Sequence, residues 1–459
     1  MLRRPTGLRL HAHTNMTEDS ELVTAHEFPA FGRAILAGIA VQLLWLVCCM
    51  GSYVIIAQTW QYQGFVVAAR VDAAKLLVAA LALVGLSLLL PRRLKGPADY
   101  VVTGLFDISF VPCCTYWALS NQPWWQEALI VSYWGFVLLV TRIPIHARTY
   151  YVKGAQDVMF LAARGLVLLG AILIVAGGHL TLRLALSDVY SVRAVWASEG
   201  SGLSTYLFPW LANALLPVLL AYAWRNRRFG ELLILGFAAY MLFTSTGMKA
   251  YLFMPVLVAA VLVFAGRRPP SWMVPGGLSL FAGAMFLLDS VTGTNGWSSL
   301  GIRRVLLIPA QLTSVYLKFF TANPVTHLSD SILLRGWLLY PYPASVAEVI
   351  GKFLNEPSMN ANTGLAADGF ANFGVMGSLV WAVLLGLLIQ LLRAATQDRE
   401  SRPEAWAVAA MWPLVLVDSA LTTSLLTHGL ALGLLVAWSL SPRSPRGETV
   451  GLERGLETR

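Results

Sequence analysis

The chain has 459 residues, of which 57% are hydrophobic and only 12% charged, with a mean hydropathy of +0.64. That balance excludes a soluble globule. Its net charge of +9 points to membrane topology and not to nucleic acid, because the basic residues sit in short clusters between apolar runs.

The first 33 residues are polar and read as a disordered cytoplasmic tail with no cleavable leader; Met16 is a second candidate start. Apolar runs of the length needed to cross ~30 Å of hydrocarbon then recur. They cover 34–57, 72–91, 98–120, 124–143, 157–178, 203–224, 230–247, 249–266, 273–292, 364–392, 404–419 and 423–440. Backbone in lipid must satisfy its own hydrogen bonds, and the alternation of a membrane barrel is absent, so the runs predict helices. The expected fold is all-α and polytopic, with about twelve spans in one membrane domain over 34–440 and a second tail at 441–459. Of the 33 Lys and Arg, 22 fall in the tails and the turns that share their side. That side is therefore cytoplasmic.

The other face carries two long segments, about 179–203 and 293–363. Loops of that size in a compact domain are usually functional. The outer side holds cations kept against the positive-inside bias: Arg183, Arg193, Lys249, Arg303, Arg304, Lys318, Arg335 and Lys352. Arginine forks match phosphate oxygens, so the set reads as an anion site; lipid headgroups or loop carboxylates are the bland partners. The aromatic stretches YLKFFTANP and GWLLYPYPASVAEVIGKFL read equally as an interfacial belt or as a platform for sugar rings, the second as an interfacial helix or re-entrant piece.

The acids to weigh are Asp188, Glu199, Asp289, Asp330, Glu348, Asp368 and Asp418. In NANTGLAADGFANFG, Asn360, Thr363, Gly364, Ala367, Asp368 and Ala371 follow helical spacing and predict a small, polar stripe turned from lipid. Asn362 and Asn372 belong to the same polar string. Asp368 reads as functional or as a helix cap or partner of an outer arginine. His179, His327 and His428 read as surface residues. Asp107 and Arg164, inside their spans, are expected to pair. Cys48, Cys49, Cys113 and Cys114 read as small packing residues. A phosphate loop, HExxH, an outer DxD pair and GxSxG are all absent, which weakens ATPase, metalloprotease, metal-dependent sugar-nucleotide transfer and serine-hydrolase readings.

The order RRVLLIPAQLTSVYLKFFTANP, SVAEVIG, MNANTGLAADGFANFGVMG, with DVYSVRAVWASEGSGLSTYLFPW and TSTGMKAYLFMP upstream, resembles the bacterial oligosaccharide repeat-unit polymerases of the Wzy type. The likeness spans about 188–392. It implies an inner-membrane glycosyltransferase of the type C class with both termini cytoplasmic. Such an enzyme works on the periplasmic face without metal, nucleotide or other cofactor. Its partners would be undecaprenyl-pyrophosphate-linked oligosaccharides and membrane lipids, with a flippase and a chain-length regulator alongside. Arg193, Arg303 and Arg304 would inherit the family's arginine roles, and Lys249 stands where many relatives carry Arg. On this reading Arg303 and Arg304 stabilise the leaving pyrophosphate. Asp368, with Glu348 second, takes the proton of the attacking hydroxyl. Asn360, Asn362 and Asn372 bind sugar or phosphate, Tyr190 joins Arg193 and Lys249 at the substrate, and Tyr316 and Phe320 line its path. Alternatives are a lipid-linked oligosaccharide flippase, an O-antigen ligase or a scaffold of polysaccharide export.

Overall fold

A computed structural model describes residues 27–145, 152–178, 189–199, 202–331, 334–356 and 359–441. The expectations for 1–26 and 442–459 of the tails, for Arg183, His179 and Asp188, and for the side chains of Tyr190 and Glu199 lie outside the described residues; 27–33, expected to be disordered, are the start of the helix Glu27–Trp60. The described residues form helices and connections, with no strand among them.

Among them, 8 helices are long and apolar enough to cross a membrane. Ala73–Ser87, Lys249–Leu262, Pro403–Val417 and Leu430–Ser439 are apolar but shorter. Each run predicted as a span is helical over most of its length, and the fold is that of a multi-pass membrane protein. Large apolar side chains such as Leu161, Leu233 and Leu280 face outward, as lipid-facing positions do.

The central helix is Pro97–Leu119, buried almost all round. A helix apolar on every face belongs inside a bundle. It packs against Glu27–Trp60, Trp124–Arg142, Ile308–Ala322, Trp412–Val417 and Leu365–Thr396. Trp124–Arg142 and Leu365–Thr396 lie closest together, because Gly386 has no side chain to hold them apart. A Cβ there would sit 2.6 Å from Val140 Cβ. All four cysteines are free, and Cys49, Cys113 and Cys114 are buried.

The structure corrects three expectations. First, 293–363 is not all loop. Gly296–Ala322 is one apolar helical run, mostly buried and long enough to span. The adjacent Arg303 and Arg304 disguise it in the sequence; the cost of burying Arg303 is met by partners inside the protein, and Arg304 is exposed.

Second, 364–392 is not a single straight span. Leu365–Thr396 breaks at Phe373 (φ −144°, ψ 22°) and Gly374 (φ 62°, ψ −148°). The arm 365–372 then folds back on the start of 375–396. Ser378 Oγ donates to Ala366 O at 2.7 Å, and Gly369 and Gly377 meet backbone to backbone. On a continuous helix those two glycines would be about 12 Å apart. The arm 375–396 keeps about 33 Å of helix, enough to cross alone. The residues before Leu365 are not helical, so Asn360 does not share a helix face with Asp368.

Third, Asp107 and Arg164 do not pair. Arg164 Nη2 meets Glu231 Oε1 at 2.7 Å, while Asp107 Oδ1 accepts from Gln42 Nε2 at 2.9 Å. Each was near a better partner from another part of the chain.

Candidate active site

The site is assembled where helices stop being regular. Asp289 ends the helix Met273–Thr292 and starts the next. Its Oδ1 accepts from the Trp297 amide at 2.8 Å and its Oδ2 from the Ser298 amide at 3.0 Å. These are N-terminal amides of a helix, which a carboxylate satisfies well. The next nine residues, Ser299–Leu307, form a π-helical stretch carrying Arg303 and Arg304. Wide turns of this kind are rare and frequent at functional sites.

Arg303 is buried and fully oriented. Its guanidinium carbon lies 3.7 Å from the centroid of the Trp60 ring. Nε and Nη2 donate to Ser299 Oγ at 3.0 and 2.9 Å, and Nη1 donates to Gln63 Oε1. Gln311 reaches the Gln63 carbonyl at 2.6 Å, so the segment after the first helix is pinned over the π-helical stretch. Trp60 and Gln63 are thus parts of the site that the sequence reading missed. The one signal was polar, aromatic TWQYQG directly after an apolar run. Arg304, the next residue, is exposed.

Two more cations arrive from elsewhere. Lys249 opens a helix at the turn TSTG, where Gly247 has φ 67°. The helix Val189–Glu199 packs on that turn: a Cβ on Gly247 would lie 2.6 Å from Val189 O and 3.1 Å from Arg193 N. Arg193 there points its Nη2 at Met248 Sδ, 3.2 Å away. Arg304, Arg193 and Arg303 all repel the Lys249 ammonium electrostatically. Four cations from three separate stretches therefore converge.

The re-entrant hairpin forms another wall. In the lead-in, Ala361 and Thr363 are buried while Asn360 and Asn362 are exposed. The Asn362 amide donates to the Asn360 carbonyl at 3.0 Å, a tight turn at Ala361. Tyr316 OH donates to Ala361 O at 2.7 Å, and Gly364 lies against the Val417 carbonyl, 2.7 Å from where a Cβ would be. Val417 ends a helix, and 418–420 is irregular before helix resumes at Leu421 and passes into the π-helical Thr423–Thr427. Irregular backbone at membrane depth persists only where protein buries it or where it lines a water-filled cavity.

Asp368 is a clamp at this junction. Its Oδ2 accepts from Trp381 Nε1 at 2.8 Å and from the Leu421 amide at 3.0 Å, and its Oδ1 from Asn372 Nδ2 at 3.1 Å. Asn372 is also committed: its Oδ1 accepts from Thr326 Oγ1 and the Leu328 amide, both at 2.7 Å. Tyr316 and Phe320 do not line an open path; they are buried in a second core with Ile350, Ala361 and Phe370. Glu348 is exposed in the first turn of Val346–Phe353, with its amide on the Ser345 hydroxyl at 3.4 Å. Ser345 and Glu348 have the spacing of a capping box. In the preceding loop, burial raises the Tyr340 and Tyr342 phenols above their ordinary range, so both remain neutral donors, to Ala344 and Pro324 carbonyls. Among the described residues, no cluster of His, Cys, Asp and Glu is arranged to hold a metal.

The chain matches no protein-family model, no curated protein and no solved structure. Its function must therefore be argued from the site itself.

Proposed function

We propose that the protein is a repeat-unit polymerase of the Wzy type, acting on undecaprenyl-pyrophosphate-linked oligosaccharides at the periplasmic face of a bacterial inner membrane. The observation that carries this reading is the convergence of Arg193, Lys249, Arg303 and Arg304 beside the polar lead-in of the re-entrant hairpin.

Glycosyl transfer from a polyprenyl pyrophosphate breaks the bond between the anomeric carbon and a phosphate oxygen. Negative charge grows on that oxygen, and fixed cations in a site walled by protein and lipid stabilise it. Arg303 suits the task because Trp60, Ser299 and Gln63 hold its guanidinium before substrate arrives. Arg304 is exposed and supplies a fork to the diphosphate. Asn360 and Asn362 face outward together and are suited to sugar hydroxyls. The Asp368 carboxylate, occupied by three donors, holds the hairpin against 418–422.

One observation favours a second reading, a lipid-linked oligosaccharide transporter. Broken helices that meet, here at 373–374 and 418–420, are also how transporters build substrate sites. Lipid-linked glycan from cells separates the two. Deleting the gene should abolish the long ladder and leave single exported repeat units; a transporter would leave none exported. A ladder unchanged by the deletion rules out both.

A further inference from the structure

We propose that Asp418 is the general base of the transfer, accepting the proton of the attacking sugar hydroxyl. The inference rests on the polymerase reading and assigns a role that Asp368 cannot conveniently fill.

Comparison among the outer acids singled out in the sequence leads to it. Asp289 spends both oxygens on the Trp297 and Ser298 amides. Asp330 pairs with Arg335 at 2.7 Å and holds the Val346 amide at 2.9 Å. Asp368 accepts three donors. Glu348 sits on an exposed helix end in another part of the fold. Asp418 differs from the first three in having its side chain exposed, with no hydrogen bond or ion pair from a described residue, and from Glu348 in its position.

Its position fits the role. Asp418 follows the last residue of Trp412–Val417, where the backbone leaves the helix at φ −130°, ψ 20°. The preceding carbonyl packs on Gly364, two residues from Asn362, and three residues later Leu421 is tied to Asp368. Arg193 and Arg304 also act on it electrostatically. Asp418 therefore lies near both the asparagines suited to sugar and the cations suited to diphosphate.

The step balances without a co-reactant. The acceptor hydroxyl oxygen forms a bond to the anomeric carbon of the donor glycan. The bond from that carbon to the pyrophosphate oxygen breaks, and its electron pair leaves with the pyrophosphate. The hydroxyl proton passes to Asp418 and then to water.

The test uses the full-length purified protein and synthetic undecaprenyl-pyrophosphate-linked repeat units. Asp418→Asn should lower the extension rate by about 10²- to 10⁴-fold, with an unchanged elution profile and melting temperature, since no described hydrogen bond is lost. Asp418→Ala should be equally slow and should regain rate with added formate. Extension by Asp418→Asn within about threefold of the parent, with Arg304→Ala inactive, overturns the base assignment and leaves the polymerase reading intact. So does a folded Asp418→Ala that formate leaves unchanged. A parent protein that extends nothing overturns the polymerase reading instead.

Discussion

The amide of Leu421 donates to Asp368 Oδ2 at 3.0 Å, across 53 residues of chain. This bond joins two of the places where the membrane domain gives up regular helix: the re-entrant hairpin and the break at 418–420. It orders the asparagine lead-in against Asp418, and so positions one half of the site relative to the other.

Asp368 should accordingly behave as a structural residue. Asp368→Ala leaves the Leu421 amide and the Trp381 indole without their acceptor, at about 1–3 kcal/mol for each unsatisfied group. The melting temperature in detergent should fall with activity. A fully stable but inactive Asp368→Asn would instead restore it as the base.

The hairpin depends on three glycines. A Cβ on Gly377 would lie 2.0 Å from Gly369 O, and one on Gly369 2.6 Å from Gly377 O. Neither contact can relax without separating the arms, so Ala at either position should abolish folded protein by size-exclusion chromatography. Gly374 has open space but φ 62°, ψ −148°, a region open essentially to glycine alone. Gly374→Ala should cost about 1–3 kcal/mol and still fold.

Gly247→Ala tests the docking of the Arg193 helix. Its Cβ would meet the Val189 carbonyl at 2.6 Å, forcing the helix Val189–Glu199 off the turn that carries Lys249. The protein should fold and lose ladder formation. Gly293→Ala, at φ 65° with nothing within 4 Å, is the matched control: it carries the same backbone strain and should keep ladder formation.

Arg303 and Lys249 should differ in their tolerance. Arg303→Lys loses the fork to Ser299 and Gln63 and weakens the stack on Trp60. With the pair worth ~1–2 kcal/mol, extension should slow by roughly tenfold. Trp60→Leu should produce a similar loss, and the double variant less than the product of the two. Lys249→Arg keeps the charge and should retain most activity; strict additivity of the Arg303 and Trp60 changes would show that the stack is incidental.

Much of this was legible in the sequence, and the rest was hidden for identifiable reasons. Apolar length and the spread of Lys and Arg gave the helical membrane domain, because lipid imposes both directly. Charge on the predicted outer side marks eight cations, of which Arg193, Arg303 and Arg304 act electrostatically on Lys249. The helix Gly296–Ala322 was lost because paired arginines in an apolar run look like a loop when their partners, Trp60 and Gln63, lie about 240 residues away. The reversal at Gly374 was lost because the apolar run 375–396 after it is long enough to span alone. Asp418 appeared as one acid among seven; what distinguishes it is the commitment of Asp289, Asp330 and Asp368 and its place beside Gly364, which only tertiary contacts reveal.

The most direct test of the central claim is chain extension by the purified protein in lipid vesicles, using radiolabelled undecaprenyl-pyrophosphate-linked repeat units and gel separation of products. The account predicts a ladder from the parent protein, and single units only from folded Arg304→Ala and Arg193→Ala. A ladder of equal length and rate from both variants would contradict it, because the convergent cations would then have no part in the transfer.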